Sequence, residues 1–372
     1  MAKADQNRLE KNQLGLGIEL AVKTVASTKA PSLPSPNFFV RPRRPEASLV
    51  FATYWRFAAV RQELFFGKIF DHETRKPISD PTLMRHKFTN VYRASDRVSQ
   101  YLIRHVLYNE NWSAENFLFR LLIFKFFNKI ETWEALESEF GLISWESFNL
   151  DRYDQYLSKL MASGATIYSA AYIMASGRSA FGHARKHSNH LEVIQLLMNG
   201  NVAQRIAQLP DLESVYTLLL SFPCIGSFLG YQLAIDLNYS TLLNFSEDNF
   251  VVPGPGALDG IAKCFTNLGD YSPSDIIHYM VEVQEVAFER IAPSFENLWG
   301  RRLHLIDCQN LFCEVGKYAR AVHPEVRGNS DRSRIKQIYR KSPRPQEAPW
   351  YPPKWGINDT VATDLRWNRL RR

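Results

Sequence analysis

The sequence predicts an all-α protein. Apolar residues recur at helical spacing over 51–70 and 273–291, and residues 116–133 are apolar almost throughout. The last of these stretches is expected to be the central core helix. Further helices are expected at 131–140, 151–164 and 187–199. With 372 residues, the chain can bury a sizeable core as one large domain or two smaller ones.

Composition places the chain among soluble globular proteins, because 45% of its residues are hydrophobic and 22% are charged. No apolar run reaches the ~18 residues that cross a bilayer, and residues 1–15 lack the apolar core of a secretory signal. The four cysteines match neither an iron–sulfur spacing nor a paired zinc spacing. We therefore expect a cytoplasmic protein with no membrane partner and no metal, in which His183, His187 and His190 are solvated rather than zinc ligands.

Positive charge is concentrated at the two ends of the chain. Residues 1–50 hold 8 Lys and Arg against 4 Asp and Glu, and residues 327–372 hold 12 against 4. Both ends are rich in proline, which favours extended linkers. We predict a mobile basic arm over 1–48, a helical catalytic domain over 49–325 and a basic tail over 326–372. Such a tail suits a polyanion, nucleic acid above all, and a merely solvated tail is the alternative.

Residues 218–237 predict two helices joined by a tight turn. Pro223 cannot continue the first helix, and Gly226 tolerates the backbone angles of a turn. Backbone N–H groups are then available at the start of the second helix, where they can hold a phosphate. The alternative is an ordinary helix–turn–helix corner. About twenty residues later come the carboxylates Glu247 and Asp248, followed by the turn Pro253-Gly254-Pro255-Gly256.

Three polar clusters interrupt the apolar pattern. Residues 85–97 mix cations with Asn and Tyr, which suits phosphate and base contacts or, alternatively, a solvated helix start. Lys125, Asn128 and Lys129 share one side of the predicted core helix, as a pocket wall or as its exposed edge. Residues 307–314 crowd polar groups at a helix start, where they either cap the helix or line a cavity. The candidates in the first and third clusters are Asn90, Tyr92, Arg93, Asp96, Arg97, Asp307, Gln309, Asn310 and Glu314.

Six segments carry a resemblance to a known family: FTNVYRASDRVSQYLI (88–103), FKFFNKIETW (124–133), IYSAAYIM (167–174), SFPCIGSFLGYQLAIDLNYS (221–240), NFSEDNFVVPGPGA (244–257) and IDCQNLFCEVGKYAR (306–320). Together they resemble the α-glutamyl/putrescinyl-thymine pyrophosphorylase family, also described as the helical domain associated with hydroxymethyluracil DNA kinases. The resemblance covers about residues 50–325. Because this family is a divergent branch of the helix-hairpin-helix DNA glycosylase superfamily, the resemblance implies two helical lobes with a cleft between them.

The resemblance implies an enzyme that flips a hypermodified base out of double-stranded phage DNA. Asp248, with its neighbour Glu247, would be catalytic. The three polar clusters would line the base pocket. Two departures from the family pattern stand out, because Cys224 replaces the first hairpin glycine and Phe228 stands where a Schiff-base lysine occurs in bifunctional glycosylases. No β-lyase chemistry is therefore implied. The DNA contacts would come from Pro223, Ile225, Gly226, Ser227, Pro253, Gly254, Gly256 and Arg97.

Our main prediction is a monomeric, cofactor-free DNA glycosylase that excises a bulky base, such as glucosylated hydroxymethylcytosine, in antiviral defence. An ionised Asp248 would stabilise the oxocarbenium charge and guide the attacking water. The alternative is an amino acid:DNA transferase that acts on activated hydroxymethyluracil in phage thymine hypermodification. A second alternative is a non-catalytic DNA-binding module. The sequence contains no GxxxxGK[ST] phosphate loop, which argues against kinase activity in these residues.

Overall fold

The computed structural model describes residues 32–70, 80–170, 174–341 and 347–369. Within these residues the regular structure is helical apart from one small sheet, in which β1 (Glu46–Ala47) pairs antiparallel with β2 (Phe265–Asn267). The predicted all-α class is therefore confirmed. In chain order the helices are α1 (Val50–Ile69), α2 (Pro81–Arg85), α3 (Arg97–Tyr101), α4 (Ala114–Phe127), α5 (Ile130–Phe140), α6 (Leu150–Ala162), α7 (Arg178–Phe181), α8 (Lys186–Asn199), α9 (Val202–Ala207), α10 (Leu212–Leu220), α11 (Ser227–Leu237), α12 (Pro255–Cys264), α13 (Pro273–Ile291), α14 (Leu305–Val322) and α15 (Asn358–Ala362).

The chain divides into two compact units. Unit 1 contains the residues up to Ser95, together with Pro253–Pro349 and Asp359–Arg372, and unit 2 contains Asp96–Val252 and Trp350–Asn358. The polypeptide thus leaves unit 1 after α2 and returns to it just before α12. The boundaries predicted at residues 48 and 325 stay predictions.

In unit 1 the buried helix α14 packs against α1, α12 and α13. The approach of α12 and α14 is the closest of these, because glycines replace side chains on both helices. A Cβ atom at Gly260 would lie 1.9 Å from the carbonyl oxygen of Phe312, and one at Gly316 would lie 2.9 Å from the Cα of Gly260. Aromatic rings fill the neighbouring space, with Tyr54 and Phe312 centroids 4.8 Å apart. Burial of such rings is a main source of stability in a helical core.

In unit 2 the core is built around α4, whose residues 116–127 are all buried. One of them is Arg120, which is fully buried and donates to the carbonyl oxygens of Val106 at 2.8 Å and Ile143 at 2.7 Å. Its guanidinium also lies over the Trp112 ring, 4.0 Å from the centroid. Burial lowers the pKa of Arg120 to about 10. A buried arginine can be tolerated here because its donors are satisfied by backbone carbonyls.

The single helix predicted over 116–133 is wrong. Helix α4 ends at Phe127, because Asn128 adopts the left-handed conformation with φ of 48° and its N–H donates to the Phe124 carbonyl. Asparagine tolerates this conformation better than most residues, and it ends helices for that reason. Helix α5 then begins at Ile130. Lys125, Asn128 and Lys129 therefore do not share one helical face.

Part of the predicted N-terminal arm lies along α13 in unit 1. The Tyr279 hydroxyl donates to the Pro34 carbonyl at 2.7 Å, and the Phe39 ring stacks on His278 with centroids 5.1 Å apart. The Glu282 carboxylate accepts the N–H groups of Phe38 and Phe39, each at 2.7 Å. Residues 1–31 of the predicted arm lie outside the described residues.

Candidate functional site

The predicted hairpin is present in unit 2, between α10 and α11. Ile225 is buried beneath the turn, whereas Gly226 and Ser227 are exposed at the start of α11. The residue in the left-handed conformation is Cys224, with φ of 65°, and not Gly226, with φ of −85°. The turn therefore places its strained position where the resemblance predicts a glycine, and Cys224 occupies that position at a steric cost.

A basic segment lies beside the hairpin. A Cβ atom at Gly177 would lie 2.9 Å from the Cys224 sulfur, so the loop that contains Gly177 contacts the turn. The exposed Arg178 follows Gly177 at the start of α7, and the exposed Arg185 directly precedes α8. Arg185 donates to the Ser158 hydroxyl at 2.8 Å. The backbone at Gly177 thus packs against the hairpin turn, whereas the Arg185 side chain contacts α6.

The prediction of solvated histidines is wrong for two of the three. His187 and His190 are fully buried, whereas His183 is exposed. His190 hydrogen-bonds the Tyr168 hydroxyl through Nδ1 at 2.9 Å and the Ala175 carbonyl through Nε2 at 2.8 Å. Burial lowers the pKa of His190 to about 4, so this imidazole is neutral at physiological pH. Within the described ranges no cluster of three His, Cys, Asp or Glu side chains is arranged to bind a metal.

The two carboxylates Glu247 and Asp248 lie in the loop after α11, and both are half-buried. This loop is fixed by Asn238, whose side chain accepts the Phe245 N–H at 2.9 Å and donates to the Phe245 carbonyl at 3.0 Å. The Asp248 N–H donates to the Ser246 hydroxyl at 3.2 Å. Asn238 therefore sets the position of the acidic turn, a role that the sequence analysis missed.

The Pro253-Gly254-Pro255-Gly256 turn belongs to unit 1, where it starts α12. Pro255 occupies the first turn of the helix, where its missing N–H carries no penalty. Gly256 is a packing position, because a Cβ atom there would lie 2.4 Å from the Cys313 sulfur. The observed role of this turn is thus to start α12 and to allow its contact with α14, and its predicted contact with DNA stays a prediction.

In unit 1 the two predicted polar clusters, around residues 90 and 310, come together. Asp307 accepts the Arg93 N–H at 2.8 Å, and Glu314 accepts the Thr89 N–H at 2.9 Å. Lys317 completes the second contact with a bond of 2.7 Å to the Glu314 carboxylate. The carboxylates of α14 therefore hold the backbone of residues 89–93, a connection that neither cluster showed alone.

The remaining candidates of unit 1 lie on the same two segments. Asn90 donates to the Ser95 carbonyl at 2.7 Å, and the Tyr92 hydroxyl donates to the Arg301 carbonyl at 2.7 Å. Gln309 is buried, and its side-chain oxygen has no hydrogen-bond partner among the described residues. Asn310 is half-buried on the same helix turn. Most of these groups are thus engaged by the protein itself, and Gln309 retains an unused acceptor.

The ionisation of Asp307 is unusual. The side chain is 4% exposed, and burial raises its pKa to about 6 despite the hydrogen bonds from Arg93 and from the His304 N–H at 3.1 Å. Burial disfavours the charged carboxylate, and this effect outweighs the two donors. Asp307 is therefore a carboxyl group that exchanges a proton close to neutral pH.

We expect Asp307→Asn to remove a pH dependence of stability. The unfolded chain releases this proton near the ordinary aspartate pKa of 3.8, whereas the folded chain retains it up to a pKa of about 6. The contribution of Asp307 to stability is thus complete below about pH 4 and is lost as the pH rises through about 6. Relative to the variant, the wild-type free energy of unfolding should fall by about 2–3 kcal/mol across this window. Urea unfolding of both proteins at several pH values measures the difference, and parallel pH profiles would contradict the assignment.

In unit 2 the candidates Lys125, Lys129 and Asn128 are tied to the structure. Lys125 is 3% exposed and its ammonium lies 3.0 Å from the Asp236 carboxylate of α11. Lys129 donates to the Thr166 hydroxyl at 2.8 Å. The buried Asn128 side chain has an oxygen without a partner among the described residues.

Asp96 and Arg97 begin helix α3 of unit 2. Asp96 is the residue before the first helical position, and Arg97 lies 3.8 Å from the Glu131 carboxylate. The Arg97 side chain is 52% exposed, so it is accessible to a ligand. The predicted roles of both residues in DNA recognition stay predictions.

Comparison with known proteins identifies the family. Residues 48–328 match the helical domain of 5-hmdU DNA kinase. The chain belongs to this family. A protein of Bacillus phage SP10 named 5-hmdU DNA kinase is 27% identical over 309 residues, which are 77% of the present chain and 48% of that protein. The chain thus corresponds to about half the length of this relative. No solved structure gives a significant match.

The family membership confirms the resemblance and overturns the main functional prediction. The predicted glycosylase, and with it the hydrolase of antiviral defence, is wrong, because the matching domain and the matching phage relative are both named for a kinase of 5-hmdU in DNA. The alternative, a role in thymine hypermodification, agrees better with both names. The relative is an enzyme by name, and it is a phage protein that acts on a modified base of DNA. In the described part of the chain no helix has the length and apolar character to cross a membrane.

Proposed function

We propose that the chain acts on phage DNA that contains 5-hydroxymethyldeoxyuridine, as the transferase that joins an amine to the activated hydroxymethyl group. The observation that carries this proposal is the match of residues 48–328 to the kinase-associated helical domain, in a sequence that contains no GxxxxGK[ST] loop. Phosphoryl transfer from a nucleotide needs a phosphate-binding element of that kind or an equivalent. The step after phosphorylation, displacement of the phosphate group by an amine, does not need one.

The reaction places clear demands on the site. The amine nitrogen bonds to the exocyclic methylene carbon of the base, the carbon–oxygen bond to the phosphate group breaks, and the phosphate leaves as an anion. The attacking ammonium must first lose a proton, so a general base is required. Asp248, or Glu247 beside it, is our candidate for this base, because both carboxylates lie half-buried on a loop that Asn238 fixes. The reactive carbon lies in the base, so the nucleotide must leave the stack to be reached.

The polar groups of unit 1 are our candidates for substrate recognition. Gln309 retains an unpaired acceptor in a buried position, and Asp307 exchanges a proton close to neutral pH. Amide and carboxyl groups of this kind recognise base edges and amines. Asn90, Arg93 and Glu314 belong to the same hydrogen-bonded assembly, in which Arg93 and Asp307 share a bond of 2.8 Å.

The test is a product assay. Purified protein is incubated with duplex DNA that carries phosphorylated 5-hydroxymethyluracil and with a mixture of amino acids and polyamines, and the digested nucleosides are analysed by mass spectrometry. Relative to unphosphorylated 5-hydroxymethyluracil, we expect a base whose mass has increased by that of the amine less one molecule of water. Asp248→Asn should lower the rate by at least about 100-fold, the usual contribution of a general base.

The control is Asp211→Asn, a change to a carboxylate that caps α10 far in sequence from the proposed base. This variant should retain the wild-type rate. If wild-type protein forms no amine adduct with any activated substrate, the transferase is excluded and a non-catalytic DNA-binding domain remains. If Asp248→Asn is fully active, the base is another residue.

A further inference from the structure

The first half of the tail that follows α14 is paired with another segment of unit 1. Its residues 337–339 pair with residues 85–87, at the end of α2, through an antiparallel bridge between His86 and Ile338. The Lys87 N–H donates to the Gln337 carbonyl at 3.0 Å, and the Tyr339 N–H donates to the Arg85 carbonyl at 2.9 Å. We call residues 85–87 and 332–341 together the basic ribbon. Both segments belong to unit 1.

The contacts that hold the basic ribbon in place do not involve its cationic side chains. The Ser330 N–H donates to the buried Asp259 carboxylate at 2.9 Å, and the Lys317 ammonium contacts the Gln337 side chain at 3.3 Å. Arg320 contacts the Arg334 carbonyl at 3.5 Å. Ser330 lies two residues before the ribbon, so these contacts hold the backbone that leads into it, the Arg334 carbonyl and the Gln337 side chain. The charged side chains therefore project from a fixed backbone.

The charge of the ribbon is entirely positive. Its two segments contain no Asp or Glu, and all of its Lys and Arg side chains are exposed. None of these cations has an ion-pair partner among the described residues. Like charges at this density repel one another and destabilise the free protein, unless an anion is bound. The cations are Arg85, Lys87, Arg332, Arg334, Lys336, Arg340 and Lys341.

Apolar side chains are exposed among these cations. Ile338 is 50% exposed, Tyr339 is 48% exposed and Met84, next to the ribbon, is 63% exposed. Lysine and arginine neutralise phosphates, while tyrosine can stack on a sugar or base. A surface of unpaired cations with an exposed aromatic ring suits a nucleic-acid backbone better than an acidic peptide, whose charges are fewer and less regularly spaced.

We propose that the basic ribbon binds the phosphate backbone of duplex DNA and holds the substrate during base modification. This proposal rests on the proposed function for the choice of DNA, and on the pairing of residues 85–87 with 337–339 for the surface itself. The ribbon supplies non-specific affinity, because phosphate contacts carry no sequence information. The modified base is then selected elsewhere in the protein.

The test compares two variants that lose the same charge. Arg332→Gln/Lys336→Gln/Arg340→Gln removes three cations of the ribbon. Lys159→Gln/Arg205→Gln/Arg290→Gln removes three exposed cations outside it, none of which has an ion-pair partner in the described chain. Binding to an unmodified DNA duplex is measured by fluorescence anisotropy over a range of salt concentrations, and thermal unfolding verifies that both variants are folded.

We expect the ribbon variant to bind at least about tenfold more weakly at about 0.1 M salt, with the slope of log K against log salt smaller by about 2 to 3, since each lost phosphate contact removes about 0.9. The control variant should bind like wild type. Equal losses in the two variants would overturn the proposal, because only net charge would then matter. A wild-type protein that binds no duplex at low salt overturns it as well.

A membrane surface is a different polyanion and is tested separately. If the ribbon variant loses binding to phosphatidylserine vesicles but keeps wild-type DNA affinity, the ribbon is not a DNA site. The binding assay contains no amine and no activated base, so its outcome is independent of the product assay. If the protein forms the amine product but the ribbon variant binds DNA like wild type, only the ribbon proposal is refuted. If the ribbon variant binds DNA more weakly but the wild-type protein forms no product, only the transferase proposal is refuted.

Discussion

Gly260→Ala is expected to unfold unit 1 or to lower its free energy of unfolding by more than about 3 kcal/mol. The added methyl carbon would lie 1.9 Å from the Phe312 carbonyl oxygen and 2.5 Å from its carbonyl carbon. Both atoms belong to the backbone of α14, so no side chain can rotate away. Over-packing in a core costs about 1–3 kcal/mol where side chains can adjust, and more where the backbone must move.

The matching change on the opposite helix should behave in the same way. A methyl carbon at Gly316 would lie 2.9 Å from the Cα and 3.0 Å from the N of Gly260. The control is Gly226→Ala, because no atom lies within 4 Å of the added carbon and φ is −85°. That change should cost at most about 1 kcal/mol, as at other helix starts. A Gly260→Ala protein with the same melting temperature as wild type would show that α12 and α14 lie farther apart than the structure places them.

This contact illustrates which parts of the fold the sequence could and could not predict. Helix α13 was predicted with its observed bounds, because its apolar residues recur at helical spacing over a long stretch. Helix α4 was predicted to be too long, since periodicity does not detect one asparagine in the left-handed conformation. The crossing of Gly260 and Gly316 depends on two residues more than fifty positions apart, and neither lies in a local motif. Tertiary approach of this kind leaves no signal in a single sequence.

The candidate site, like the fold, could be predicted from the sequence only in part. The polar residues around Arg93 and Asp307 were singled out from composition alone, and the structure joins them by a direct hydrogen bond. Their partner Lys317 and the loop anchor Asn238 were missed, because a lone polar residue in a helix has no distinctive spacing. The buried histidines were misjudged for a related reason, since a polar sequence context does not report which side of a helix faces the core.

The functional prediction was wrong for a different reason. One fold can host different reactions, so a helical hairpin followed by an acid does not by itself identify the chemistry. The resemblance to the kinase-associated domain was carried by several segments along residues 88–320 and is confirmed by the family match. Choosing the glycosylase within that family relied in part on the spacing between the hairpin and Asp248, and this spacing does not specify the atom that is attacked.

Lys125→Met is expected to destabilise unit 2 by about 3–5 kcal/mol. The Lys125 side chain and Asp236 are both buried, with 3.0 Å between the ammonium and the carboxylate, so the change removes the cation that lies beside this buried carboxylate. Methionine keeps most of the length and apolar volume of the lysine side chain, which restricts the effect to the charge. Urea unfolding followed by tryptophan fluorescence measures the loss.

The double variant Lys125→Met/Asp236→Asn decides whether this lysine is structural or belongs to the substrate pocket. Removing both charges should recover about 2 kcal/mol relative to Lys125→Met, because the energies of groups in contact are not additive. If the pair only supports the contact between α4 and α11, the double variant regains the rate of amine transfer together with stability. If Lys125 contacts the substrate, stability returns and the rate does not. A Lys125→Met protein as stable as wild type would contradict a stabilising role for this ion pair, since removing one partner of a buried pair is costly.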